Sequence, residues 1–119
     1  MDKALTALVL SVCISNAEPI KVRLTTYHRG EDSYTSRLKS ASGYTLKDGI
    51  SVAADPRMFD YGDWIYIEGI GARQVHDTGS AVISRKASGG KLPVIDVFFS
   101  KRKDAEEFAS NHKYALVYR

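Results

Sequence analysis

Hydrophobic and polar positions alternate along this chain in short runs separated by turn residues, the period-two signature of half-buried strands. Val22 and Leu24 alternate with Lys21 and Arg23 and lead into Thr25-Thr26-Tyr27-His28. Ile50, Val52 and Ala54 alternate into Asp55-Pro56, and Pro56 pushes Asp55 out of helical geometry, which ends that strand. Trp64-Ile65-Tyr66-Ile67 is a β-branched and aromatic run bounded by Gly62 and Gly69. Gly69-Ile70-Gly71 predicts a turn, and residues 72–76 a short strand before Asp77-Thr78-Gly79. Val94-Ile95-Asp96-Val97-Phe98-Phe99 is the most apolar strand of the chain, and residues 114–118 read as a closing strand. Two stretches interrupt the pattern. Residues 29–43 carry Gly30, Ser33, Ser36, Ser40, Ser42 and Gly43 and predict mostly loop, and residues 84–93 predict a basic, flexible loop. One helix is expected after Ser100, which stands where it can cap, with Ala105, Phe108 and Ala109 on one face. Many short strands with one helix predict a mainly β chain, a small barrel or sandwich with a helical insertion.

Composition narrows the class. A chain of 119 residues with 44% hydrophobic and 26% charged residues is one globular domain, which excludes a disordered tail and a multi-span membrane protein. Its net charge of +3 falls short of a dedicated nucleic-acid binder and suits an anionic polymer such as a cell wall. Residues 1–17 read as a secretory signal: Lys3 gives the positive start, residues 4–14 the apolar stretch, and Ser15-Asn16-Ala17 a small-x-small cleavage site. That stretch is shorter than the roughly 20 residues needed to span a bilayer, so no stable membrane insertion is expected once it is removed. Cleavage leaves 18–119 as a single domain, exported and secreted or held in the cell envelope. Lipidation of Cys13 is the alternative, opposed by the bulk of Val12 before it. Residues 18–119 then contain no cysteine, and His28, His76 and His112 show no paired ligand spacing, so neither metal nor cofactor is expected.

Three carboxylates stand out. Asp96 sits mid-strand, sharing a face with Val94 and Phe98 while Ile95, Val97 and Phe99 point the other way. In a partly dry groove, loss of hydration raises such a carboxyl and lets it donate a proton near neutral pH. On the wet face of an edge strand, or capping a turn, it is merely structural. Asp55 and Asp77 lie at strand-to-turn junctions, where Asp often serves the turn, yet strand ends are also where small β folds assemble sites. Asp77-Thr78-Gly79 additionally matches the core of the aspartic-protease signature, in which two carboxylates share a proton across a dimer axis. The polar His76 before it and the absence of a later apolar-Gly-Arg segment oppose that reading.

Five segments occur together in one order: Ser40-Ala41-Ser42-Gly43, Gly49-Ile50-Ser51-Val52-Ala53-Ala54-Asp55-Pro56, Tyr61-Gly62-Asp63-Trp64-Ile65-Tyr66-Ile67-Glu68-Gly69, Asp77-Thr78-Gly79-Ser80-Ala81-Val82 and Ile95-Asp96-Val97-Phe98-Phe99. In these the chain resembles the 3D domain, named for three aspartates and shared by MltA-type lytic transglycosylases and Sps/YuiC-like muralytic domains. The resemblance spans about residues 22–118. It implies a six-stranded double-psi β-barrel and lytic cleavage of peptidoglycan glycan strands at the MurNAc-β-1,4-GlcNAc bond, leaving a 1,6-anhydro sugar. It makes Asp96 the general acid/base with Asp77 and Asp55 as close neighbours, and assigns sugar contacts to Thr26, Tyr27, Ser40, Ser42, Gly43, Thr78 and Gly79. The chain departs from the family pattern at Ser80, where a second Gly is usual, at Asp60, where Pro is usual, and in the 19-position spacing from Asp77 to Asp96, which contains the basic stretch 84–93. A non-catalytic wall-binding barrel is the alternative expectation.

Overall fold

The computed structural model describes residues 18–119; the expected signal segment 1–17, with Cys13, lies outside the described residues. Six strands, β1 (Ile20–His28), β2 (Ser51–Ala53), β3 (Trp64–Ile67), β4 (Gly71–Asp77), β5 (Val94–Phe99) and β6 (Tyr114–Tyr118), close in the order β1-β5-β2-β4-β3-β6. The neighbours β1/β5 and β2/β4 run parallel and the other pairs antiparallel. The chain is therefore mainly β, a closed six-stranded barrel, and the sandwich alternative is set aside. β6 completes it by pairing with both β1 and β3 (Val22↔Ala115, Tyr66↔Tyr118), so among the described residues no sheet edge is left unpaired.

Alternation decides which side chains fill the interior. Val22 and Leu24, Val52, Ile65 and Ile67, Val75, Ile95 and Val97, and Val117 form one buried cluster that draws on all six strands. Full burial of each such side chain contributes roughly 1.5–3 kcal/mol before ordering costs. Trp64 and Tyr66, one residue out of phase with Ile65 and Ile67, point outward.

A second buried cluster lies outside the barrel wall. Tyr27, Ala53, Val94 and Phe98 project from the outer face of β1, β2 and β5, and are covered by Leu46, Val82 and the partly buried Leu38. The polar stretch after β1 supplies this cover. It contains α1 (Ser33–Ser36), whose Asp32 cap and Thr35 form a capping box. A bridge Lys39↔Thr45 then folds the chain back so that Leu38 and Leu46 are anchored together, with Leu46 N–H donating to Leu38 O at 2.8 Å. Val82 belongs to the short α2 (Ser80–Ile83).

Two local expectations change. The stretch 84–93 is ordered by its own hydrogen bonds: a 3₁₀ turn spans Lys86–Ser88, and the Ser88 hydroxyl both donates to Leu92 O (2.7 Å) and accepts from Leu92 N–H (2.9 Å). The long helix α3 (Arg102–Asn111) has Lys101, not Ser100, at its N-cap, with no side-chain cap; the Ser100 N–H donates to Asp48 Oδ1 at 3.1 Å. Its apolar face is Ala105 and Phe108, the latter packed against the interior cluster, whereas Ala109 is exposed.

Candidate active site

Asp96 stands in the middle of β5 between Thr25 of β1 and Ala53 of β2, its partners in the parallel and antiparallel registers. Because the strand alternates, Asp96 projects to the outer wall with Val94 and Phe98, beneath α2 and the loop layer. Thr25 Oγ1 donates to Asp96 Oδ1 at 2.8 Å. Burial pushes the Asp96 carboxyl up to about 7, against the Thr25 hydrogen bond, which lowers it, and with the charges of Glu31 and Asp77, which raise it further. Near neutral pH the group is thus divided between acid and base forms, the condition for both giving and taking a proton. The wet-face alternative for Asp96 does not describe its surroundings.

Asp77 reaches the same wall through a register shift. Val52 pairs with Val75, but the next residue Ala53 pairs with Asp77, leaving His76 as an extra residue in β4. Without that bulge Asp77 shares the inward parity of Val75; with it, Asp77 turns outward beside Ala53 and Asp96. His76 is held by Ser51 Oγ at Nδ1 (2.7 Å) and by Gln74 Oε1 at Nε2 (2.8 Å), and stacks on Tyr44 at 4.6 Å. Three donors converge on the Asp77 carboxylate: Tyr27 OH on Oδ2 (3.0 Å), and the N–H groups of Ala41 (2.8 Å) and Thr78 (2.9 Å) on Oδ1. Burial, followed by the neighbouring Asp77, holds the Tyr27 phenol far above its ordinary pKa, so it remains a donor.

Asp55 lies elsewhere. Its carboxylate, 4% exposed, accepts from Arg57 Nη2 (2.7 Å), Nε and backbone N–H, and the side-chain hydrogen bonds of Arg57 hold it below the usual carboxylate range. Its carbonyl accepts from Met58 and Phe59 N–H, forming the turn that carries Phe59 into the interior cluster. Asp55 neither lines the groove nor figures among the charges that raise Asp96. The structure brings Asp96 and Asp77 together and gives Asp55 to the adjoining turn.

The groove over these groups has a volume of about 600 Å³, with Tyr27, Ser40, Thr78 and Gly79 in its lining together with Asp77 and Asp96. The Thr78 hydroxyl is buried beside it without a protein partner. Thr26 instead lines a second cavity of about 440 Å³ and donates to Ala105 O at 3.3 Å. Ala81, Val82 and Asp96 belong to both cavities, so Asp96 sits at their junction. Ser42 donates to His76 O, and Gly43, with φ +89°, closes a turn on Ser40 O. This turn presents the Ala41 N–H to Asp77, a backbone role that residue-type reasoning did not assign.

Glu31 and Lys39 also line the groove and were not singled out from the sequence. Both lie in a polar stretch with no periodicity, and only the folding of that stretch over the barrel wall makes them neighbours of Asp96. Glu31 is tied back to His28 Nε2 at 3.3 Å. Among the described residues no group of three or more His, Cys, Asp or Glu side chains is placed to hold a metal ion.

No family model matches this chain, and no curated protein matches it. The functional reading therefore rests on the geometry above and on the motif resemblance.

Proposed function

We propose that this protein is an exported peptidoglycan lytic transglycosylase of the 3D-domain type, with Asp96 as its general acid/base. The observation that carries the reading is the Asp96 carboxyl, poised near pH 7 where two cavities meet. A glycan strand laid across both cavities puts one sugar on each side of that carboxyl. Asp96 in its acid form protonates the leaving O4 as the C1–O4 bond breaks. As carboxylate it then takes the proton from the C6 hydroxyl as the C1–O6 bond forms. The proton is returned, no water is consumed, and one carboxyl does the work that hydrolytic glycosidases divide between two.

Asp77, fixed by three donors, supplies a negative neighbour that adds to burial in raising Asp96 and faces the positive charge that develops at C1. The same three donors oppose the protease reading, since a carboxylate engaged this fully by its own chain is poorly placed to share a proton with a symmetry mate. Export through the segment 1–17 places the protein where its substrate is.

The test is to incubate the purified protein with peptidoglycan and analyse the products by mass spectrometry. Anhydro-muropeptides that disappear with Asp96→Asn are expected. Reducing-end products overturn transglycosylation in favour of hydrolysis, and binding without products overturns catalysis in favour of a wall-binding module.

A further inference from the structure

Away from the groove, the outer wall formed by β3, β6 and the first half of β1 carries an unusual set of side chains for a small exported barrel. Trp64 and Tyr66 of β3 are 57% and 53% exposed, and Tyr114 of β6 is 57% exposed. Their positions are contiguous: Tyr66 pairs with Tyr118 across β3/β6, with ring centroids 6.3 Å apart, and Tyr114 pairs with Arg23 across β6/β1. Lys21 and Arg23 lie over the Tyr114 ring at 5.4 and 5.7 Å. The outward positions of β1, β3, β4 and β6 on this wall (Lys21, Arg23, Trp64, Tyr66, Ala72, Gln74 and β6 residues 114, 116 and 118) include no carboxylate. The acidic residues nearest in sequence, Asp63 and Glu68, stand beyond the two ends of β3, and Asp63 is occupied by the Asp60 N–H at 3.0 Å.

Exposed aromatic rings on a rigid sheet are costly to leave in water and mark a recognition surface. Pyranose rings present flat C–H faces that stack on such rings, and carboxylates of attached peptides pair with Lys and Arg. The surface is also continuous with the groove. Lys21, Arg23, Thr25 and Tyr27 follow one another outward along β1, two residues and about 7 Å apart, and Thr25 is the hydrogen-bond partner of Asp96.

We propose that this aromatic and basic wall is a second binding surface for an anionic glycan strand, which holds the polymer along β1 and leads it into the groove. The choice of wall glycan as occupant rests on the function proposed above; the surface itself does not.

The test compares the full protein with Trp64→Ala/Tyr66→Ala by sedimentation with insoluble peptidoglycan and by turnover of a short soluble glycan fragment. Both side chains are exposed, so the double variant is expected to fold, which circular dichroism checks. Retention on the insoluble wall is expected to weaken about tenfold, from the loss of two aromatic contacts. Turnover of the fragment should be unchanged. Lys21→Glu, a separate variant that leaves the rings in place, should also weaken retention, and wild-type retention should fall with added salt. Wild-type retention by either variant overturns the proposal. It is equally overturned if an anionic vesicle or a single-stranded oligonucleotide binds the wall of aromatic rings more tightly than glycan does, or if the double variant merely converts a dimer to a monomer. Aromatic-dependent retention by a protein that yields no anhydro products refutes the enzyme and leaves this surface standing.

Discussion

Replacing Asp96 by Asn keeps the shape of the side chain and an acceptor for the Thr25 hydroxyl, while removing its titration. In the folded protein the carboxyl is displaced from its ordinary 3.8 to about 7, which corresponds to about 4 kcal/mol. The sign follows from proton linkage. The folded state binds the Asp96 proton more tightly than the unfolded chain, so wild-type stability falls as pH rises from about 4 to about 7, and the whole cost is present above that. Below pH 4 both states are protonated and the cost vanishes. The stability of Asp96→Asn relative to wild type should therefore climb from near zero at pH 4 to about 4 kcal/mol at pH 8. Urea unfolding at a series of pH values measures it, because carboxylates common to both proteins contribute the same background to each curve. A difference that stays flat from pH 4 to 8, or a wild type that is the more stable protein at pH 8, would refute the argument that burial holds this proton.

In the wild type, cleavage of glycan should decline as pH rises through about 7, because the acid form of Asp96 is lost there; a pH–rate profile still rising at pH 9 contradicts its role as proton donor. Tyr27→Phe removes one of the three donors to the buried Asp77 and should cost about 1–3 kcal/mol in unfolding free energy at neutral pH. No change in stability would show that the phenol is not holding that carboxylate. Arg57→Ala deprives the buried Asp55 of its partner and should lower Tm while leaving cleavage at low temperature intact, since neither residue lines the groove. Asp55 contributes stability above the ordinary carboxylate pKa that is lost on acidification, so the variant should show a shallower acid limb, and an unchanged limb counts against the pairing. Phe59→Ala empties a site only 2% exposed in the barrel interior and should cost about 3–5 kcal/mol by chemical denaturation.

Much of the barrel is legible residue by residue. The strand Trp64–Ile67 and the strand Val94–Phe99 coincide with their apolar runs, because a strand half-buried against one core must alternate. The same alternation correctly separated Asp96, Val94 and Phe98 from Ile95 and Val97. Helix α3 is visible through Ala105 and Phe108, but its start is not: it begins one residue later than the capping residue type suggests, at Lys101, which has no side-chain acceptor to mark it. The basic stretch 84–93 looks flexible from composition, yet its order depends on Ser88 meeting Leu92 around left-handed Arg85 and Gly89, a conformation that composition does not encode.

The candidate site divides along the same line. By itself the sequence determined that a carboxyl would interrupt the most apolar strand, and that two others would end strands, since these are local facts of pattern and turn chemistry. Only the tertiary structure decided what surrounds them. The one-residue slip between β2 and β4 turns Asp77 outward to Asp96, while Arg57 captures Asp55 for a neighbouring turn. The polar loop after β1 folds over the wall, anchored by Leu38 and Leu46, and brings Glu31 and the Ala41 N–H to the groove. A proton's affinity depends on burial and on charges arriving from distant segments, and neither quantity belongs to any short run of residues.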